Sequence, residues 1–137
     1  MQRIQKDPAA IYQIGWRTWE ELIAGAYTRE GFEVILTPRS NDKGRDVIAT
    51  KSGVGAVRFF DQVKAYAPHR VVDADEVRAM LGVLTAEANV SKGIITTTSQ
   101  FAPGVWRDEN IQRLMPYKLE LKDREKLLPW LASIGLP

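Results

Sequence analysis

Apolar residues between Asp7 and Arg29 recur near the helical repeat: Ile11, Ile14, Trp19, Leu22, Ile23, Ala26 and Tyr27 fall on one stripe of a 3.6-residue period. Gly31 stands where a helix C-terminal stop is expected, so the pattern predicts a first helix here, broken near Gly15. The pattern then changes. Three β-branched and aromatic runs, Phe32–Thr37, Asp46–Thr50 and Ala56–Tyr66, are separated by the turn-rich PRSNDKGR and KSGVG, which predicts an antiparallel meander. Helical spacing returns over Asp73–Ala88 through Val77, Met80, Leu81 and Leu84, and KGIITTT follows as a short buried strand with hydroxyls at its end. Pro103 starts a helix reaching about Leu114, Lys118–Leu121 forms a last short strand, and Arg124–Ser133 a closing helix. The predicted order αβββαβαβα belongs to the α/β class, with helices flanking a central mixed β-sheet. No repeat or Pro/Gly-rich linker interrupts the 137 residues, so residues 1–137 are expected to form a single domain.

Composition narrows the chemistry. The chain has no cysteine and one histidine, His69, which removes disulfides, thiolate nucleophiles, zinc fingers and multi-histidine metal sites. The absence of cysteine also fits a reducing compartment. No apolar stretch approaches the ~20 residues that span a bilayer, and the opening MQRIQKDPAA has no apolar signal region. The expected location is the cytoplasm, with no membrane partner. Nineteen Lys and Arg against seventeen Asp and Glu give a net charge of +2, too little to mark a polybasic tail. The excess is local: Thr37–Arg70 holds Arg39, Lys43, Arg45, Lys51, Arg58, Lys64 and Arg70 against Asp42, Asp46 and Asp61.

Strand geometry makes Arg58–Lys64 the most telling segment, because alternation sends Gln62 and Lys64 to the same face. Asp46 opens the preceding strand directly after the NDKGR turn, and strand pairing can bring it close to both. A carboxylate, an amide oxygen and an ammonium at one sheet edge make a hydrolytic kit. Hard oxygen ligands suit Mg²⁺, with Mn²⁺ as a substitute, and the lysine can orient or help deprotonate a water. The natural substrate for that kit is a phosphodiester.

The stretches WEELIAGAYTREGFEV, NDKGRDVIA, DQVKAY and KGIITTTSQF, in this order and spacing over about Trp16–Val105, resemble the catalytic domain of Mrr-like restriction endonucleases, a branch of the PD-(D/E)XK nuclease superfamily. The resemblance implies a restriction-endonuclease-like core and a metal-dependent DNA endonuclease. It places the metal-binding aspartate at Asp46, the glutamine this branch uses in place of glutamate at Gln62, and the catalytic lysine at Lys64. Glu20 matches the first-helix glutamate, with the adjacent Glu21 as the alternative. Mrr-type enzymes usually add a separate DNA-recognition domain, so such a domain or a partner protein is expected to supply specificity. Double-strand cleavage by one site per chain would call for a homodimer.

Other residues carry plainer expectations. Arg39, Lys43, Arg45 and Arg70 flank the site in sequence and are assigned to DNA phosphates; a solvated surface is the competing assignment for each. Asp61 alternates to the opposite face as a solvated or helix-facing group, Asp42 fits an Asx turn, and His69 sits in a loop as a surface or DNA-contacting group. Thr96, Thr97, Thr98 and Ser99 either present hydroxyls to phosphate or cap the next element. Trp16, Trp19, Tyr27, Phe32, Phe59 and Phe60 are assigned to the core. Two other functions fit the same scaffold: a branched-DNA or repair nuclease, and a catalytically silent nucleic-acid-binding module.

Overall fold

A computed structural model of the chain describes residues 12–38 and 46–135. Five strands form one mixed sheet in the spatial order β1 (Glu33–Leu36), β2 (Val47–Lys51), β3 (Val57–Lys64), β4 (Lys92–Thr97) and β5 (Leu119–Lys122). The first three pair antiparallel as the predicted meander, and β3, β4 and β5 pair parallel. Parallel pairing needs crossovers. Helix α2 (Ala74–Ala86) makes the first; the short helices α3 (Pro103–Arg107) and α4 (Glu109–Leu114) make the second. Helix α1 (Trp16–Arg29) precedes the sheet and α5 (Arg124–Ser133) follows it.

Each face of the sheet buries its own core. On one face, Trp19, Ile23, Ala26 and Tyr27 of α1 and Leu127 and Leu131 of α5 pack with Val47, Ala49, Val63 and Ile94. On the other, Val77, Met80 and Leu84 of α2, with Val105 and Ile111, pack with Phe60, Ile95, Leu119 and Leu121. The run Gly93–Thr97 is buried throughout, as a strand covered by helices on both sides must be. Leu22 and Leu81 of the predicted helical stripes are only partly buried.

Two predictions need correction. The single helix from Pro103 to Leu114 is two helices, because Asp108 leaves the helical conformation and its side chain accepts the N–H groups of Asn110 and Ile111; it caps a new helix rather than continuing the old one. Trp16 is 39% exposed rather than core, since it opens the first turn of α1 at the molecular surface. The first helix itself begins after Gly15, and the part predicted before Tyr12 lies outside the described residues.

Close approach of α2 to β4 depends on Gly93. A Cβ there would stand 2.8 Å from Met80 Sδ and 3.1 Å from Leu84 Cδ2. Gly93→Ala is therefore expected to destabilise the fold by about 1–3 kcal/mol through overpacking, seen as a lower midpoint in thermal or urea unfolding.

Candidate active site

At the C-terminal end of β3, beside the start of β2, a cleft of about 400 Å³ is lined by Trp16, Glu20, Asp46, Gln62, Val63, Lys64, Ala65, Tyr66 and Arg70. The position follows from the topology: carboxyl ends of parallel strands open between the helices that cover the two faces. The first turns of α1 and α2 stand on either side. All four residues assigned from sequence to the reacting centre, Asp46, Gln62, Lys64 and Glu20, line this one cleft.

Asp46 sits just ahead of β2, where the β2–β3 register would place it opposite Gln62. It is 7% exposed, and its Oδ2 accepts the Val63 N–H at 2.9 Å. The carboxylate thus takes up a buried backbone donor of β3. The Asp46 carbonyl accepts the Thr37 N–H at 3.1 Å and lies 3.4 Å from the Thr37 hydroxyl. Asp46 is thus held from the exit of β1 and from β3, the two strands that flank β2 in the sheet.

Glu20, which also lines the cleft, is 1% exposed, whereas Glu21 is exposed and does not line it. Arg17, one turn earlier, pairs with Glu20 and also donates to the Thr37 carbonyl at 3.0 Å. This arginine was not singled out from the sequence. It joins α1 to the segment that holds Asp46, and its only sequence signal is the i, i+3 spacing from Glu20.

The end of β3 is clamped from β4. Thr97 donates its hydroxyl to the Lys64 carbonyl at 2.8 Å, and Thr98 donates to the Tyr66 carbonyl at 2.8 Å. Thr96, Thr97, Thr98 and Ser99 are all buried, so the phosphate-facing alternative gives way to a structural one. Beyond the clamp, the Arg70 guanidinium stacks on the Tyr66 ring at 3.7 Å, and Glu76 lies 4.0 Å from Lys64 Nζ. Tyr66 and Glu76 were also missed. The sequence Asp73–Ala74–Asp75–Glu76 carries the capping-box spacing that could have drawn attention to Glu76. His69 is exposed next to Arg70. Arg39, Asp42, Lys43 and Arg45 lie outside the described residues; Arg70, the described member of the group assigned to DNA phosphates, lines the cleft.

The donors on the cleft wall fit a hard divalent cation. Asp46 and Glu20 offer carboxylate oxygens and Gln62 an amide oxygen, the ligand type that Mg²⁺ prefers. Among the described residues no three His, Cys, Asp or Glu side chains group to hold a metal by themselves.

Of the two settings expected for Asp61, solvated or helix-facing, the structure shows the second. It is fully buried and faces α1, where it accepts hydrogen bonds from Tyr27 Oη at 2.6 Å and Thr96 Oγ1 at 2.8 Å. Burial raises its pKa to about 6, against an opposing pull from Lys122 and from those two donors. Burial also lowers the pKa of Lys122, whose ammonium stands 3.5 Å over the Trp130 ring.

An α/β sheet of this order, with its cleft at the β2–β3 corner between two helices, is the restriction-endonuclease-like fold. The solved structures agree. AspBHI, a DNA modification-dependent restriction endonuclease, aligns with a TM-score of 0.59 at 23% identity, over 98% of this chain and 33% of its own. The MspJI restriction endonuclease, solved in complex with a 27-mer oligonucleotide, aligns at 0.65 and 17% identity, over 92% of this chain and 30% of its own. AF1548, a protein of unknown function, aligns at 0.64 and 15% identity, over 91% and 66%. The chain belongs to the restriction endonuclease family Mrr_cat, whose model matches residues 11–131. A curated relative, the uncharacterized protein y4cE of Sinorhizobium fredii (strain NBRC 101917 / NGR234), is 29% identical over 126 residues, 91% of this chain. The chain spans about a third of that relative's length.

The Asp61 cluster yields a prediction with a definite sign. A carboxyl with a folded pKa of about 6 against 3.8 for the free side chain binds its proton more tightly in the native state. Stability is then lost as the pH rises from about 4 to about 6, by about 3 kcal/mol. Asp61→Asn keeps an acceptor for Tyr27 and turns an amide N–H to the Thr96 hydroxyl, which can accept it. The wild-type stability measured relative to this variant should fall across that window and stay level above it, in urea titrations at several pH values.

Proposed function

We propose that the protein is a metal-dependent DNA endonuclease of the Mrr-like restriction type, hydrolysing phosphodiester bonds by in-line attack of water. What carries this reading is the convergence of Asp46, Gln62, Lys64 and Glu20 in one cleft, in a chain of a restriction endonuclease family. Asp46 and Gln62 would hold Mg²⁺, or Mn²⁺ in its place. That ion would polarise the phosphoryl oxygen and acidify water.

The remaining work falls to the chain itself. Lys64 presents an ammonium that orients the attacking water and stabilises the negative charge growing on the phosphoryl oxygens. The Thr97 clamp on its carbonyl limits how far that ammonium can wander, which is the value of building a site at a strand end rather than on a loop. Glu20, buried and paired with Arg17, supplies a fixed acceptor in the cleft. Arg70 at the mouth takes a DNA phosphate, as do Arg39, Lys43 and Arg45 from the preceding turn.

AspBHI and MspJI are three times the length of this chain, and the match covers one part of each. Residues 1–137 accordingly act as one nuclease domain, with DNA specificity supplied by a separate recognition domain or partner. A homodimer would match two such sites to the two strands of duplex DNA. MspJI, whose structure contains an oligonucleotide, supports DNA as the substrate.

Cleavage of supercoiled plasmid, methylated and unmethylated, with Mg²⁺, Mn²⁺ or EDTA tests the reading. Metal-dependent nicking or linearisation is expected, falling at least about 100-fold in both Asp46→Ala and Lys64→Ala. Cleavage confined to junction or flap DNA would place the same site in a branched-DNA nuclease. DNA binding without cleavage of any substrate would contradict hydrolysis and favour a silent binding module, the one reading to which the neutral Gln62 lends weight.

A further inference from the structure

Glu76 has no role in the proposed chemistry, yet it is tied to three residues of the cleft and to the start of α2. Its Oε2 accepts the Asp73 N–H at 2.9 Å, while the Asp73 carboxylate accepts the Glu76 N–H at 2.9 Å, completing the capping box that starts α2. Its Oε1 accepts the Tyr66 hydroxyl and lies 4.0 Å from Lys64 Nζ and 3.9 Å from Arg70 Nη2. One carboxylate oxygen is thus spent on fixing the helix start, and the other faces the cations of the site.

We propose that Glu76 is a positioning residue of this cleft, holding the Lys64 ammonium and the Arg70 guanidinium in register through one immobilised carboxylate oxygen. The proposal rests on the nuclease reading and extends it to the α2 side of the site. Three features make the arrangement more than a surface ion pair. The carboxylate cannot rotate freely, because the cap bond fixes its second oxygen. Tyr66 adds a donor to the first oxygen and a ring under Arg70, whose guanidinium is stacked at 3.7 Å. Burial and the neighbouring carboxylate push the Tyr66 pKa up, so this hydroxyl stays a donor over the working range. Gln62, finally, is neutral where a second strand carboxylate would have balanced Lys64, and Glu76 supplies that negative charge from the helix side.

The test is Glu76→Gln, which keeps the cap because glutamine serves equally at that position but removes the charge; Glu76→Asp serves as the rescue variant. Two readouts are taken on the full chain. NMR relaxation of the Arg70 Nε–H group and of ¹³C-labelled Lys64 should show both side chains restrained in the wild type and loosened in Glu76→Gln, with backbone amide shifts and melting temperature nearly unchanged. Single-turnover plasmid cleavage should fall about tenfold in Glu76→Gln while DNA affinity measured in EDTA holds or rises, as expected when orientation rather than binding is lost. Partial recovery of both readouts in Glu76→Asp supports the proposal. Unaltered side-chain mobility in Glu76→Gln overturns it, as does loosened mobility with a wild-type cleavage rate. If the wild type cleaves nothing, the nuclease reading fails on its own, and the NMR comparison still decides whether Glu76 holds the two cations.

Discussion

The bond from the Val63 N–H to Asp46 Oδ2 is the constraint on which the site depends. Among the described residues β2 pairs with β3 as far as Val47 and Asp61, and β3 continues to Lys64. Without a partner, that extension would carry a buried orphan donor at a cost of about 1–3 kcal/mol. The Asp46 carboxylate removes the cost and, by doing so, fixes its own position beside Gln62 and Lys64. A group suited to holding a cation is therefore also the group that takes up a backbone donor of β3. The same economy recurs at Thr97, which closes the parallel ladder on the Lys64 carbonyl, and at Glu76, which caps a helix while facing the site.

Asymmetry between the faces gives the rest of the molecule its logic. The α1 and α5 face carries the buried charges Asp61 and Lys122, satisfied by Tyr27, Thr96 and the Trp130 ring. The α2 face is apolar through Phe60, Ile95 and Met80 until the strand ends, where Lys64 and Glu76 meet. Charge inside the sheet thus serves packing order on one side and the cleft on the other. Arg17 spans the gap between these regions by pairing with Glu20 and bonding the Thr37 carbonyl, so that one run of bonds joins α1, the β1 exit and Asp46.

Local patterns carried most of the fold. Period-two runs bounded by turn residues located all five strands within a few residues, and the helical stripes located α1, α2 and α5. The break at Asp108 was missed because apolar spacing does not report when a side chain prefers to cap rather than continue a helix. For the site, alternation along β3 was enough to place Gln62 and Lys64 on one face, and the aspartate after a tight turn was legible as their neighbour. Glu20 against Glu21 was not, because both lie on an amphipathic helix and only tertiary packing buries one of them. Arg17, Tyr66 and Glu76 act through contacts with residues that other elements bring near, as does the Asp61–Thr96 pair across β3 and β4. Such contacts follow from the assembled sheet and leave little trace in any one segment.

The central claim is that the Asp46–Gln62 corner is a cation site beside Lys64. Anomalous diffraction from Mn²⁺-soaked crystals of the protein with duplex DNA tests it most directly. The account predicts a peak within coordination distance of an Asp46 carboxylate oxygen and the Gln62 amide oxygen, with a DNA phosphate as a further ligand. A peak held by other residues, or none at that corner while DNA occupies the cleft, would contradict it.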